Sequence, residues 1–129
     1  MSEIGDTDLR IEFVFDGNLI LKGIINRIYA PMIVEEIKFR LPFEGRAALI
    51  RGDMKITLGI SKGNAKPTYD VKRADIAYQP LGDSLDIYLS DKRTFSQVNI
   101  IGRITSDETE IDALTQVRRG SSVTVRLAE

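Results

Sequence analysis

The side chains of this sequence restrict the chemistry that it can perform. Its 129 residues include no Cys and no His. The chain therefore has no thiol nucleophile, no imidazole base and no Cys or His ligand for zinc. The best electrophiles that remain are two guanidinium groups, Arg46 and Arg51, which can hold a carbonyl or an amide by hydrogen bonds. The competing interpretation of both is an ordinary surface Arg in a loop.

Three short patterns that can mark functional sites have simpler explanations here. The tripeptide at 51–53, Arg-Gly-Asp, matches an adhesion motif, but a turn between two strands explains it better. Residues 59–63 contain Gly-x-x-x-Gly without the Lys-Ser/Thr that follows it in a phosphate-binding loop. Four carboxylates near a predicted helix start are explained by the helix dipole, and their spacing does not fit an EF-hand: Asp107, Glu108, Glu110 and Asp112. We therefore predict no metal and no cofactor.

Charge and hydropathy exclude two classes of partner. The 18 Lys and Arg residues nearly balance 19 Asp and Glu residues, which gives a net charge of -1. A mainly electrostatic nucleic-acid binder would be strongly basic. No apolar run reaches the roughly 18 residues that a membrane span needs, and the acidic start of the chain does not resemble a signal peptide. We expect a cytoplasmic protein with neither a nucleic acid nor a membrane as its partner.

Hydrophobic periodicity predicts a hairpin followed by a helix. Apolar residues alternate from Leu9 to Phe15, which indicates a strand with one buried face. Asp16-Gly17 is a type I′ turn signal, and residues 18–23 would return as the second strand. Pro31 suits a first helical turn, and residues 33, 37 and 41 form one apolar stripe. Pro42 would end this helix at or before residue 41.

The remainder of the chain is typical of short strands with one further helix. Strands are predicted around residues 54–60, 76–78, 85–89, 98–104 and 123–127. Gly102 inside a strand indicates a bulge or a close backbone approach. A polar, locally basic stretch at 61–73 is interpreted as a long loop. The second helix would begin at 107–109 and end before Gly120.

Seven or eight strands joined mostly by turns exclude a doubly wound parallel sheet, which needs helices between most strands. The best architecture is a mainly β, closed, mainly antiparallel barrel with two helices. We expect a flexible N-terminal tail at residues 1–8 and a single domain at 9–129.

Four segments, taken in order, carry a family resemblance. They are residues 27–37, 41–47, 74–88 (Ala-Asp-Ile-Ala-Tyr-Gln-Pro-Leu-Gly-Asp-Ser-Leu-Asp-Ile-Tyr) and 99–104 (Asn-Ile-Ile-Gly-Arg-Ile). Over residues 9–127 the chain resembles a small cyclophilin-like family of largely uncharacterised archaeal and bacterial proteins. The resemblance implies an eight-stranded barrel whose ends are capped by helices. It does not imply prolyl isomerase activity, because function must be argued from the site, and the chain lacks the catalytic block of true cyclophilins.

The chain departs from its smaller family at two positions of interest. Arg51 and Gln79 stand where the resemblance implies Trp, so two aromatic side chains that would line a cleft are replaced by polar ones. The resemblance also implies what an Arg would do, since cyclophilin catalysis places an Arg beside the proline carbonyl. Arg51 and Arg46 are therefore the candidate catalytic residues.

Tyr78, Gln79 and Asn99 belong to the segments that match the family best, and they are the candidate ligand-binding residues. The competing interpretation of Tyr78 is a buried ring with a satisfied hydroxyl. That of Asn99 is an amide that ties down a turn or caps a strand edge. All five candidates depend on an assumption that they converge in space.

Three functions remain open. The first is a non-catalytic or weakly active module that binds a peptide or a small molecule. The second is a peptidyl-prolyl isomerase with an atypical Arg-based site, which an exposed apolar cleft beside Arg51 would favour. The third is a structural or assembly role through an exposed strand or the basic loop at 61–73. We expect a monomer or a weak homo-oligomer.

Overall fold

Eight strands form a closed ring around one hydrophobic core, and a ninth strand lies outside the ring. The structure is a computed structural model, which describes residues 8–128. The strands are β1 (Asp8–Phe15), β2 (Leu19–Asn26), β3 (Phe43–Ile50), β4 (Asp53–Thr57), β5 (Thr68–Val71), β6 (Asp75–Gln79), β7 (Ser84–Tyr88), β8 (Lys92–Ile104) and β9 (Ser121–Leu127). The helices are α1 (Pro31–Arg40) and α2 (Glu108–Asp112), the latter continued by a 3-10 turn at Ala113–Gln116.

The order of strands around the ring confirms the predicted closed antiparallel barrel. The strands run β2-β1-β9-β3-β4-β7-β6-β8, and β8 pairs with β2 to close the ring. The predicted turn at Asp16-Gly17 joins β1 and β2, and both of its residues have positive φ. β9 lies between β1 and β3, where Phe13 and Phe43 both oppose Val125.

Gly102 allows the ring to close. It pairs with Ile25 across the β2–β8 seam. A Cβ atom at Gly102 would overlap the carbonyl oxygen of Ile24 and would lie 2.7 Å from the Cα of Ile25. On its other side β8 shifts register against β6, which leaves Ile101 as an extra residue. Both the bulge and the close approach that the sequence indicated occur here.

The two helices pack at the predicted places. α1 begins with Pro31 and buries Ile33, Val34 and Ile37. α2 is capped by Asp107, whose side chain accepts a hydrogen bond from the backbone N–H of Glu110. The backbone N–H of Asp107 in turn donates to the Glu110 side chain. This reciprocal capping box accounts for Asp107 and Glu110, and the other two carboxylates of the acidic cluster, Glu108 and Asp112, form ion pairs with Arg73. None of the helices in residues 8–128 is long and apolar enough to cross a membrane.

The prediction of a continuous loop at 61–73 was wrong, because that segment contains β5. β5 pairs with the first half of β8, and the two strands lie over the outer surface of the ring. A second, small hydrophobic cluster joins this layer to the ring, formed by Val71, Ala77, Tyr88 and Val98. One outer face of the barrel is therefore covered by protein and not by solvent.

The predicted tail at 1–8 differs at its boundary, since Asp8 is already the first residue of β1 and pairs with Asn26. Residues 1–7 and 129 lie outside the described residues, so the remainder of that tail and the end of the predicted domain are not compared.

Candidate functional site

β4 and β7 carry a row of polar side chains on the outer face of the barrel. Their cross-strand pairs on this face are Asp53 with Tyr88, Lys55 with Asp86, and Thr57 with Ser84. The alternate residues of both strands point inward and fill the core. All five residues of β7 are buried, so the strand is enclosed on both faces although one of them is polar. Buried polar side chains need partners, and the strands supply them.

Asp86 is the centre of this row. It is fully buried, and its carboxylate accepts from three donors: Ser84 Oγ at 2.7 Å, Lys55 Nζ at 2.8 Å and Tyr88 Oη at 3.2 Å. Burial raises the pKa of the Tyr88 hydroxyl, and the neighbouring Asp86 charge raises it further. Tyr88 therefore remains a protonated donor at any physiological pH, and the network is held in one hydrogen-bonding arrangement.

A second ion pair lies beside the first. Oδ1 of Asp53 is 2.8 Å from Nζ of Lys92, and among the described residues it makes no hydrogen bond of good geometry. Burial raises the pKa of the Asp53 carboxyl, and Lys92 opposes this shift only in part. A buried carboxylate with incomplete hydrogen bonding is costly for the fold. Such groups are more common at binding and catalytic sites than elsewhere.

A groove of about 740 Å³ opens above Asp53 and Tyr88. One wall is the strand segment 92–96, and another is the 79–82 turn. Phe95 on the first wall is 89% exposed, and Leu81 on the second is 78% exposed. The groove thus combines an exposed apolar rim with a buried floor that carries fixed polar groups.

An irregularity in β8 places Phe95 at the rim. Thr68 pairs with Val98, but Asp70 pairs with Arg93, so residues 94–97 bulge out opposite Tyr69. The Thr94 hydroxyl donates to the backbone carbonyl of Ser96 at 2.8 Å, which fixes the bulge. Bulges of this kind redirect side chains and are common next to binding sites.

Arg51 lies beside Phe95 on the rim of the groove. It occupies the β3–β4 turn with a φ of 54°, and Gly52 follows it with a φ of 83°. Its guanidinium lies 5.8 Å from the centroid of the Phe95 ring, and its carbonyl accepts from Lys92 Nζ at 3.0 Å. Within residues 8–128 no carboxylate forms an ion pair with this guanidinium, so its donors are available to a ligand.

A second groove of about 390 Å³ continues from the first along the same face. The two share four lining residues, Ile50, Lys55, Gln79 and Gly82. The far end of the second groove is formed by Arg46, Arg119 and Gly120, where Arg46 donates to the Gly120 carbonyl at 3.2 Å. Lys55 and Gln79 therefore lie at the point where the two grooves meet.

The structure brings some of the five candidate residues together and separates others. Arg51 and Gln79 line the first groove, and Arg46 and Gln79 line the second. Arg51 and Gln79, the two positions at which the family resemblance implies Trp, thus line the same groove. The Gln79 amide donates to Ser96 Oγ at 2.9 Å, which ties it to the wall that carries Phe95. Tyr78 and Asn99 line neither groove.

Tyr78 and Asn99 instead hold the segment at 60–66 against the barrel. The buried Tyr78 hydroxyl donates to Asp83 Oδ1 at 2.7 Å and accepts from the Lys62 amide at 3.1 Å. Burial, with a contribution from Asp83, raises the pKa of Tyr78 to about 12. The Asn99 side-chain oxygen accepts from the amides of Ala65 and Lys66. Tyr78 is thus a buried ring whose hydroxyl is satisfied, and Asn99 is an amide that holds a loop in place, as in the competing interpretations of the two residues.

Most of the groove floor could not be predicted from the sequence. Asp86 alternates with core residues, so the pattern placed it on a solvent-facing side of its strand. Tyr88, which donates to Asp86, packs against Val71 of β5 and Val98 of β8, and neither β5 nor the first half of β8 was predicted. Phe95 was missed because an isolated aromatic residue in a polar stretch carries no periodic signal. Asp53 was assigned to a turn, and the turn is present at Arg51-Gly52.

The site has a limited chemical repertoire. Both ammonium groups near the floor are paired with carboxylates, at 2.8 Å in each case. Among the described residues, no cluster of three or more potential ligands is arranged to hold a metal ion. What the groove offers is an apolar rim, a free guanidinium and fixed polar groups, which is a set suited to holding a ligand.

Comparison with known proteins agrees with this architecture. The profile described as "Cyclophilin-like" matches residues 9–126. The chain belongs to the cyclophilin-like family. No curated protein sequence matches it.

Two solved structures share the fold of this cyclophilin-like protein. One is a hypothetical protein, AF2241 from Archaeoglobus fulgidus, with a TM-score of 0.75 and 23% identity over 95% of this chain and 96% of that one. The other is McbB, solved in complex with tryptophan, with a TM-score of 0.70 and 14% identity. That match covers 90% of this chain but 44% of McbB. At these identities the likeness establishes the fold alone.

Proposed function

We propose that this cyclophilin-like protein is a binding module that holds a peptide segment or a small ligand in the groove that Arg51 and Phe95 line. The observation that carries the proposal is the exposure of Phe95 and Leu81 beside a buried polar floor. Large apolar side chains exposed together at the rim of a concave site lower the free energy of the complex when a ligand covers them. The bulge that presents Phe95 supports the same conclusion.

Each part of the groove has a separate task in this proposal. Phe95 and Leu81 cover an apolar group of the ligand. The Arg51 guanidinium donates to a carbonyl or a carboxylate, and Gln79 supplies an amide at the junction of the two grooves. The network around Asp86 keeps the floor rigid, so that little order has to be gained on binding.

Binding without strong catalysis agrees with the chemistry of the lining. Lys55 and Lys92 are each neutralised by a carboxylate, and Tyr88 remains protonated. None of these groups is an activated nucleophile or a general base near neutral pH. A monomer or a weak homo-oligomer remains our expectation for the assembly.

The test is an NMR titration of isotope-labelled protein with two probes, a short proline-containing peptide and tryptophan. Tryptophan is included because McbB, which shares the fold, was solved with it. We expect amide shifts around 51–53, 79–82 and 92–96, and weaker binding after Phe95→Ala. Phe39→Ala is the matched control, because Phe39 is 86% exposed on α1 and lines neither groove. The proposal fails if neither probe shifts the groove amides, or if the two variants behave alike.

A second candidate, prolyl isomerisation, is favoured by one observation: an exposed apolar wall stands beside Arg51. A guanidinium that hydrogen-bonds the proline amide would stabilise the twisted C–N bond, whose uncatalysed barrier is roughly 18–20 kcal/mol. The assay is exchange spectroscopy of the peptide's cis and trans signals, which interconvert over tens to hundreds of seconds without a catalyst. Exchange within about a second that Arg51→Ala abolishes and Arg118→Ala preserves would support this candidate. Unchanged exchange rates at saturating protein would exclude it.

A further inference from the structure

The two grooves form one continuous track with an excess of positive charge. Six cationic side chains line them: Arg46, Arg51, Lys55, Lys92, Arg93 and Arg119. Asp53 is the single carboxylate that lines the first groove, and no carboxylate among the described residues lines the second. Asp86 lies below the floor. The whole chain has a net charge of -1, so this face differs in sign from the average of the molecule. Such a local field favours an anionic partner.

The floor neutralises its own charges and leaves the rim cations for a partner. Asp86 pairs with Lys55, and Asp53 pairs with Lys92. Within the part of the chain that the structure describes, Arg51 and Arg119 form no ion pair, and Arg46 donates to a backbone carbonyl. Arg93 pairs with Asp70 at 3.3 Å, where both side chains are largely exposed, and its guanidinium lies 4.9 Å from the centroid of the Tyr69 ring. The guanidiniums at both ends of the track are therefore available.

The dimensions of the track suit an extended chain. Its floor follows the outer face of β4 over the five residues from Asp53 to Thr57, whose ends are four residue steps or about 13 Å apart. The apolar rim at Phe95 lies near one end, and Arg46 and Arg119 lie at the other. An extended peptide covers this length in about four residues, and its alternate side chains point away from the floor.

We infer that the natural occupant is an extended acidic peptide segment, with an apolar side chain against Phe95 and carboxylates directed to the rim guanidiniums. This rests on the proposed function and specifies the ligand of the same site. A peptide fits better than a nucleic acid because Phe95 is the one aromatic ring on the exposed rim among the described residues, whereas proteins that bind single-stranded nucleic acids stack the bases on several.

The experiment measures binding of a blocked peptide of about eight residues, which spans roughly 26–29 Å when extended. It alternates Glu with Leu and carries one Phe. Fluorescence anisotropy is compared for this peptide and for a matched peptide with Gln at every Glu position. We expect the Glu peptide to bind at least about tenfold more tightly at low salt, and the difference to shrink as salt screens exposed charges. Equal affinities of the two peptides would overturn the inference.

Variants test whether the far end of the track takes part. Arg119→Gln removes a guanidinium from the track, whereas Arg118→Gln removes its exposed neighbour that lines neither groove. Arg119→Gln should lower the affinity for the Glu peptide roughly two- to fivefold, whereas Arg118→Gln should leave this affinity unchanged. Neither variant should change the binding of tryptophan, which is too short to reach that end. Equal effects of the two variants would contradict an extended occupant.

The outcomes separate this inference from the proposed function. If the groove amides respond to tryptophan or the proline peptide but binding is independent of Glu and of Arg119, the proposed function survives and this inference fails. If no probe affects the groove, both fail. If a single-stranded oligothymidylate of similar length binds more tightly than the Glu peptide and depends on Arg119, the occupant is a nucleic acid and the inference is wrong.

Discussion

Removing the Asp86 carboxylate should be among the most damaging single changes to the fold. The side chain is fully buried and accepts from three groups. In Asp86→Ala, the Ser84 and Tyr88 hydroxyls lose their acceptor inside the protein, at about 1–3 kcal/mol for each unsatisfied donor. Lys55 loses its partner as well, but its side chain is 23% exposed and recovers some hydration. We expect a loss of about 3–5 kcal/mol from the free energy of unfolding.

A loss of this size is a large share of the 5–15 kcal/mol typical of a single domain, and it corresponds to a drop of roughly 10–20 °C in Tm. Urea unfolding followed by circular dichroism measures it directly. Asp70→Ala is the control, because its ion pair with Arg93 is exposed and should contribute within about 1 kcal/mol.

The double variant Lys55→Met/Asp86→Ala tests whether the two charges depend on each other. It should lose less than the sum of the two single variants, because no buried charge then remains without its partner. If Asp86→Ala loses no more unfolding free energy than Asp70→Ala, the floor is not a coupled network. The same follows if the losses of the two single variants simply add in the double variant.

Three further variants test the closure of the ring, the 58–61 segment and the groove floor. Gly102→Ala should cost about 3 kcal/mol or more in thermal or urea unfolding, because its Cβ overlaps the Ile24 carbonyl, whereas Gly63→Ala, which meets open space, should change little. Burial alone would raise the pKa of Asp83, but hydrogen bonds from the Tyr78 hydroxyl and the backbone hold it below its usual value. The stability that the ionised Asp83 contributes is therefore present above about pH 4 and is lost as the pH falls through the pKa of the folded state. Asp83→Asn should cost about 1 kcal/mol at pH 7 and progressively less when unfolding is measured at lower pH. Burial raises the pKa of Asp53, so ionising this group destabilises the folded state as the pH rises above about 4. Asp53→Asn should therefore be at least as stable as the parent in urea unfolding at pH 7. A clear loss of stability in this variant would contradict that expectation.

The elements that follow from local periodicity could be predicted from the sequence. Pro31 starts α1 as expected, and Asp107 caps α2. Gly102 indicated a close approach but not its partner, because the residue that it meets, Ile24, lies far away in the sequence. The family resemblance supplied the number of strands in the ring, which periodicity left at seven or eight.

The candidate site was harder to predict, because it is made by the second layer of the fold. β5 is four residues long in a polar stretch, and only its pairing with β8 reveals it. Without that layer, Asp86 has the pattern of a solvent-facing residue. Arg51 was singled out for its guanidinium and Gln79 for its place in a segment that resembles the family, and both line the first groove.

The position of β9 has a consequence for how the protein forms during synthesis. β9 lies between β1 and β3, which belong to the first half of the chain. Until residues 121–127 have left the ribosome, both of those strands present an unpaired edge, and such edges recruit other chains. At about 5–20 residues per second, the interval between completing β3 and completing β9 lasts roughly 4–15 seconds. The nascent protein therefore carries two open edges for seconds, and chaperones that shield extended strands are expected to matter most in that interval.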